Sequence, residues 1–298
     1  MNTTSTVTSN QIFYRTVKID DHDIFYREAG SKDSPTILLL HGFPSSSHMF
    51  RNLIPMLSQK FHVVAPDHVG FGQSSAPSPS NFQYTFDNLS NITDKFTQAL
   101  KLNKFSMYVQ DYGAPIGYRI AAKYPERIQA LVVQNGNAYV EGLDNDFWKN
   151  FRPFWENRTE ETASPLKAFL ELPATKWQYL TGVRQAESIC PDAWLLDQAG
   201  MDRPGNKEIQ LELFYSYGSN APLYPQWQEY FRTHQPPTLV VWGKNDPIFP
   251  AAGAEPYKRD LKNLEYHLLD TGHFALEEDC EVIGNLINQF LGKVVARK

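Results

Sequence analysis

Eight short apolar runs, interrupted once by a gap of about a hundred residues, constrain the fold of this chain more than any other feature. The runs are Phe13 to Ile19, Ile24 to Glu28, Thr36 to Leu40, Phe61 to Ala65, Phe105 to Val109 and Ala130 to Gln134, then Thr238 to Trp242 and Glu265 to Leu269. They have the length of buried strands, and amphipathic stretches separate them, ending with a helical pattern from about Glu277 to Leu291. Strands alternating with helices predict an α/β architecture: a mostly parallel eight-stranded sheet with helices on both faces and an antiparallel edge made by the first two runs. Between Asn137 and Pro236 the pattern turns aromatic, irregular and helical, and five of the six tryptophans lie there (Trp148, Trp155, Trp177, Trp194 and Trp227). A segment of that length is no loop, and an inserted helical cap over the carboxyl ends of the strands accounts for it. The expected division is residues 1–137 as the first part of the core, 138–236 as the cap, and 237–298 as the second part of the core.

A chain of 298 residues buries one large core, or one core plus an insertion. With 42% hydrophobic and 20% charged residues it reads as globular, and a net charge of −5 with scattered lysines and arginines leaves no basic stripe for nucleic acid. Met1 to Asn10 is polar and lacks the cationic and apolar regions of a secretion signal, and no apolar run reaches the length of a bilayer span. The expectation is a cytoplasmic protein without a membrane partner. Cys190 and Cys280 are far apart and lack the spacing of redox or zinc sites, so they read as buried free thiols. Without secretion, the Asn-x-Ser/Thr matches at Asn2, Asn88, Asn91 and Asn157 carry no weight.

Polar groups gather just past the carboxyl ends of the predicted strands, where an open α/β sheet builds its site. After the fifth strand comes Val109-Gln110-Asp111-Tyr112-Gly113-Ala114, a very short turn into a helix. Such a turn strains one residue and projects its side chain from the sheet, and it needs small residues two positions away. Gly113 meets this requirement on the far side and Val109 does not on the near side. A simple helix cap is the other reading of Asp111. His41-Gly42-Phe43-Pro44 follows the third strand, Asn245-Asp246-Pro247 follows the seventh, and Gly272-His273-Phe274 follows the eighth. Taken singly, His273 reads equally as a capping or core histidine, Asp246 as an Asx turn and His41 as a structural turn residue. His22, His48, His62, His68, His234 and His267 lack such context and read as surface or packing residues.

In the order nucleophile, acid, histidine, these motifs resemble the α/β-hydrolase family, and the resemblance spans nearly the whole chain, including Asp67-His68-Val69-Gly70-Phe71-Gly72-Gln73-Ser74 after the fourth strand. It implies a triad of Asp111, His273 and Asp246, with Asp111 where a serine normally stands. It also implies an oxyanion hole from the backbone N–H groups of Phe43 and Tyr112, and a structural role for His41. Some relatives place the acid after the sixth strand, but Asn135-Gly136-Asn137 is followed by no carboxylate until Glu141, so Asp246 is the better partner for His273. Asp270, three residues before the histidine, reads as a local backbone cap.

Aspartate at that position changes the chemistry. A serine attacking an alkyl carbon forms an ether, a dead end, whereas a carboxylate is ionised at neutral pH and forms an alkyl ester that water can hydrolyse. His273 would activate that water, Asp246 would hold its tautomer, and each backbone donor would contribute roughly 3 to 4 kcal/mol to the oxyanion. The scheme needs no metal or organic cofactor. Its partners are water and a small or medium hydrophobic substrate, as the aromatic cap suggests.

Within the family, an aspartate nucleophile resembles epoxide hydrolases and haloalkane dehalogenases. An opening epoxide needs acidic hydroxyls, usually two cap tyrosines, whereas a departing halide needs N–H donors from tryptophan or asparagine. His41-Gly42-Phe43-Pro44 and Tyr217 look like the former, while Val109-Gln110-Asp111 looks like a dehalogenase branch that follows its nucleophile with tryptophan rather than Tyr112. The asparagine of the other branch is replaced by Phe43. Tyr217, Tyr179, Trp148 and Trp155 are the candidate substrate or leaving-group residues, with Tyr179 the only substitute for a first epoxide tyrosine. Epoxide hydrolysis leads these readings and dehalogenation is the alternative. Behind them stand an esterase-like hydrolase and a non-catalytic ligand-binding protein of the same fold.

Overall fold

The computed structural model describes residues 11–295. The polar start Met1 to Asn10, with its Asn2 match, lies outside the described residues. Eight strands form one sheet: β1 (Phe13–Ile19), β2 (His22–Ala29), β3 (Thr36–Leu40), β4 (His62–Pro66), β5 (Phe105–Gln110), β6 (Ile128–Gln134), β7 (Thr238–Gly243) and β8 (Leu264–Leu269). Their order is β1-β2-β4-β3-β5-β6-β7-β8; β2 runs antiparallel to β1 and β4, and the remaining neighbours are parallel.

Two cores result from the two-residue period of the strands. Leu38, Leu40, Met107, Val109, Leu131, Val133, Val240 and Trp242 face one side, where the helices Phe86–Ala99 and Gly113–Lys123 pack. Ile37, Leu39, Tyr108, Ala130, Val132, Leu239 and Val241 face the other, under the helices Leu53–Leu57 and Ala275–Val295. Covered on both faces, β4, β5 and β7 are buried along their whole length, which is why they read as continuous apolar runs. At the edges, β1 is mostly exposed and β8 half-buried.

Everything between β6 and β7 is helical or irregular, in short pieces of which Asn206–Tyr217 is the longest at 12 residues. Its last helix, Tyr224–His234, returns to the sheet side, where Trp227 packs against Tyr118 with ring centroids 5.5 Å apart. The cysteines differ from expectation: Cys190 is exposed, on the surface turn that starts the helix Pro191–Met201, and Cys280 is only half-buried. Among the described residues, no helix is long and apolar enough to cross a membrane.

Candidate active site

The carboxyl ends of β3, β5 and β7 and the loop after β8 converge on Asp111. This residue sits at the turn from β5 into the helix Gly113–Lys123 with φ of 49°, in the left-handed region that few residues besides glycine, asparagine and aspartate enter. Gly113 is required, because a Cβ there would lie 2.2 Å from the Leu40 carbonyl oxygen. Val109 fits on the near side because the helix supplies the missing space: a Cβ on Gly117, one turn further on, would lie 2.7 Å from Val109 Cγ1. The loop after β3 approaches just as closely, and a Cβ on Gly42 would fall 2.3 Å from Asp111 Oδ1.

That approach delivers the backbone donors. Phe43 N–H donates to Asp111 Oδ1 at 2.7 Å and Tyr112 N–H donates to the same oxygen at 2.6 Å. The loop is braced by His41, whose Nδ1 bonds the Gly42 carbonyl and whose Nε2 accepts from His68 N–H. Burial holds the His41 ring at a pKa of about 4, so it stays neutral near pH 7. With Oδ1 pinned, Oδ2 remains for chemistry, 4.0 Å from His273 Nε2.

His273 is completely buried, and its Nδ1–H donates to Asp246 Oδ2 at 2.7 Å. Asp246 is held further by Asn135 Nδ2–H on Oδ2 and by Ile248 N–H on Oδ1, each at 2.7 Å. With Nδ1 protonated, Nε2 carries the lone pair of the neutral ring. Gln110 Nε2–H donates to it at 3.0 Å, while Gln110 Oε1 is buried without a hydrogen-bond partner among the described residues. Gln134 Nε2–H donates to the His273 carbonyl at 2.9 Å. Asp270 lies apart, bonded to Asn245 and Lys244.

Sequence reasoning missed three of these contributors. Asn135, which offers no carboxylate for the triad, has φ of 44° at the end of β6 and ties Asp246 to the Gly243 backbone through bonds of 3.2 and 2.9 Å. An asparagine at the carboxyl end of a buried strand was the available signal. Gln110 and Gln134, polar side chains ending apolar strands, gave the same signal.

Charges within the site are coupled. Burial raises the Asp111 pKa, and although the His273 charge and the Phe43 and Tyr112 N–H groups pull it back, it ends at about 6. Burial pulls His273 down, but the Asp246 carboxylate, its hydrogen bond and the Asp111 charge outweigh this, and the ring ends above its usual value. A buried carboxylate faces a histidine ready to hold a proton.

Above Asp111 lies a narrow aromatic cavity of about 20 Å³, dominated by Phe43, Tyr112, Trp148, Phe151, Phe214 and Tyr217. The structure sorts the four candidate substrate residues. Tyr217 lines the cavity; its hydroxyl is coupled electrostatically to that of Tyr224, which accepts from Asn137 Nδ2–H at 3.0 Å. Trp148 also lines it, stacked on Tyr217 at 4.7 Å, but as a wall: its indole N–H is committed to the Ile248 carbonyl at 2.8 Å. Trp155 lies outside the lining and donates its N–H to the Phe214 carbonyl at 2.8 Å. Tyr179 does not fill the place of a first epoxide tyrosine, because its hydroxyl donates to Asp197 at 2.5 Å and its ring stacks on Phe274 at 4.0 Å. In both tryptophans and in Tyr179, the polar end is already satisfied elsewhere in the fold.

Comparison with known proteins agrees with this architecture. A family model described as alpha/beta hydrolase fold matches residues 35–279. The chain is 47% identical over 268 residues to an uncharacterized hydrolase of Saccharomyces cerevisiae, covering 89% of this chain and 92% of the relative. It is 34% identical over 273 residues to a haloalkane dehalogenase of Psychrobacter cryohalolentis, covering 90% and 87%. Among solved structures, a loop variant of the haloalkane dehalogenase DbeA from Bradyrhizobium elkanii superposes with a TM-score of 0.79 at 21% identity, covering 96% of this chain and 98% of the other, a likeness of fold.

Proposed function

We propose that this chain, which belongs to the alpha/beta hydrolase fold family, hydrolyses small hydrophobic epoxides through a covalent ester on Asp111. One observation carries the reading: one carboxylate oxygen is held by two backbone N–H groups while the other faces His273, itself fixed by Asp246.

In the first step Asp111 Oδ2 attacks an epoxide carbon, a C–O ester bond forms, and the ring C–O bond breaks to an alkoxide. Tyr217 donates its proton to that alkoxide. Its pKa is raised well above 10 by burial, so the hydroxyl is protonated at neutral pH, and Tyr224 supports the resulting phenolate until the proton is restored. In the second step His273 Nε2 removes a proton from water, and the hydroxide adds to the Asp111 carbonyl carbon. Negative charge then develops on Oδ1, where Phe43 and Tyr112 already donate. Collapse expels the alkyl oxygen, which takes the proton from His273 and leaves as a diol. The product keeps Oδ2, and the Asp111 carboxyl gains the oxygen and the second proton of water, which returns to the Tyr217 phenolate and restores the carboxylate.

Epoxides are favoured over haloalkanes because the cavity offers a hydroxyl and no uncommitted indole N–H: Trp148 donates to the backbone, and the residue after Asp111 is Tyr112. Haloalkane dehalogenation is the second reading, supported by the 34% identity to a haloalkane dehalogenase over most of both chains.

The test is a His273→Gln variant incubated with epoxides and with haloalkanes, followed by intact mass and peptide mapping. The proposal expects a stalled ester on Asp111 carrying the full mass of the epoxide. An adduct of the alkyl part alone, with one equivalent of halide, moves the assignment to dehalogenation. No adduct from either panel, with saturable binding by the parent protein, points to a non-catalytic ligand-binding role.

A further inference from the structure

We infer that Gln178 is the second group that receives the leaving oxygen, its amide N–H acting opposite the Tyr217 hydroxyl. The inference rests on the reading of Asp111 as the alkylated nucleophile, and it names a donor in addition to the lining tyrosines Tyr112 and Tyr217.

Gln178 lies on the helix Leu172–Leu180, is 3% exposed, and lines the same cavity as Asp111 and Tyr217. Its side chain hydrogen-bonds to no other group among the described residues, whereas its neighbour Tyr179 is bonded to Asp197. The amide, without a protein partner among the described residues, keeps some accessible surface on the cavity side, where a ligand can complete its hydrogen bonding. Apart from Asp111 and the two tyrosines, the lining offers no other uncommitted polar side chain, because the Trp148 N–H is taken by the Ile248 carbonyl. The amide is also chemically suited. It donates without ionising, so it stabilises charge growing on the epoxide oxygen while Tyr217 supplies the proton.

The experiment measures single-turnover ester formation from styrene oxide by rapid quench and intact mass, comparing H273Q with H273Q/Q178L and H273Q/Q178M. Loss of the donor is expected to slow ester formation roughly 10- to 100-fold. The melting temperature should stay close to that of the H273Q parent, since no hydrogen bond to the protein is lost. Ester formation within twofold of the parent in the folded variants, or a lower melting temperature at an unchanged rate, overturns the inference and makes Gln178 structural. Q178M, closest in shape, decides the matter if Q178L does not fold. If H273Q itself forms no ester, the Asp111 reading falls and takes this inference with it, an outcome distinct from failure of the Gln178 variants alone.

Discussion

Replacing Asp111 by asparagine is expected to abolish turnover and make the protein more stable. The carboxyl is buried and its pKa is raised from 3.8 to about 6. Between those values the native state holds a proton that the unfolded chain has released, so the free energy of unfolding falls as pH rises through this window and stays reduced above it. A shift of about 2 units at about 1.4 kcal/mol each gives about 3 kcal/mol of destabilisation at pH 8. Asparagine has nearly the same shape, and its carbonyl oxygen keeps the N–H donors of Phe43 and Tyr112. With an unfolding entropy of about 2 cal/mol/K per residue, 298 residues give about 0.6 kcal/mol/K, and the gain becomes a melting shift of about 5 °C. Urea titration and thermal melting of both proteins at pH 4 and pH 8 test this. The stabilities should coincide near pH 4 and separate by pH 7, with the variant ahead. A variant less stable than its parent at pH 8, or a gap independent of pH, would refute the reasoning that an ionised, desolvated carboxylate is strained in this site.

The same titration sets the acid limb of the reaction: ester formation should fall as pH drops through about 6, about tenfold per unit below it, because protonated Asp111 does not attack. A flat rate from pH 7 to pH 5 in single-turnover mass measurements would count against Asp111 as the nucleophile. Tyr217→Phe should slow epoxide opening roughly 100-fold while hydrolysis of the preformed ester changes less than about threefold. Equal slowing of both steps removes Tyr217 from the proton-donor role. Trp148→Phe should leave ester formation from epoxides within a few-fold of the parent and cost about 1 kcal/mol of stability through the lost bond to Ile248, read by urea titration. A large specific loss of halide release would instead make that indole a halide donor.

How much the sequence disclosed follows from what each residue's neighbours contribute. The runs at Phe105 and Thr238 lie within two residues of the observed strands because a strand covered on both faces must be apolar throughout, a property of the segment itself. Asp111 and Asp246 stood out because each follows such a run and His273 because it follows the edge strand β8, and their convergence is a consequence of parallel topology. The inserted helices were not legible in detail. Pieces such as Asp146–Lys149 and Arg152–Glu156 are too short to show a period, and contacts such as Phe147 on Phe151 and Phe151 on Phe214 place them. The direction of an indole N–H depends on which carbonyl the tertiary fold brings near, and so the bonds of Trp148 to Ile248 and of Trp155 to Phe214 were not legible in the sequence. Gln178 carried no signal for a related reason: a lone glutamine in a helix normally faces water, and only the fold turns it inward.

In the proposed reaction the two steps make opposite demands on His273, and the charge of Asp111 reconciles them. Before attack, Asp111 is a carboxylate, and its negative charge adds to that of Asp246 in raising the His273 pKa above the ordinary histidine value. A proton on His273, 4.0 Å from Oδ2, would favour the ionised nucleophile but would leave the ring unable to act as a base. Formation of the ester neutralises Asp111 and removes one of the charges holding that proton, while burial continues to disfavour the imidazolium. The histidine pKa therefore falls when a base is needed. Gln110, whose amide donates to Nε2 at 3.0 Å, suits the neutral ring that this step requires. Hydrolysis regenerates the carboxylate and restores the proton affinity of the ring, so general-base strength at His273 is tied to the covalent state of Asp111 through their electrostatic coupling, without any movement of the fold.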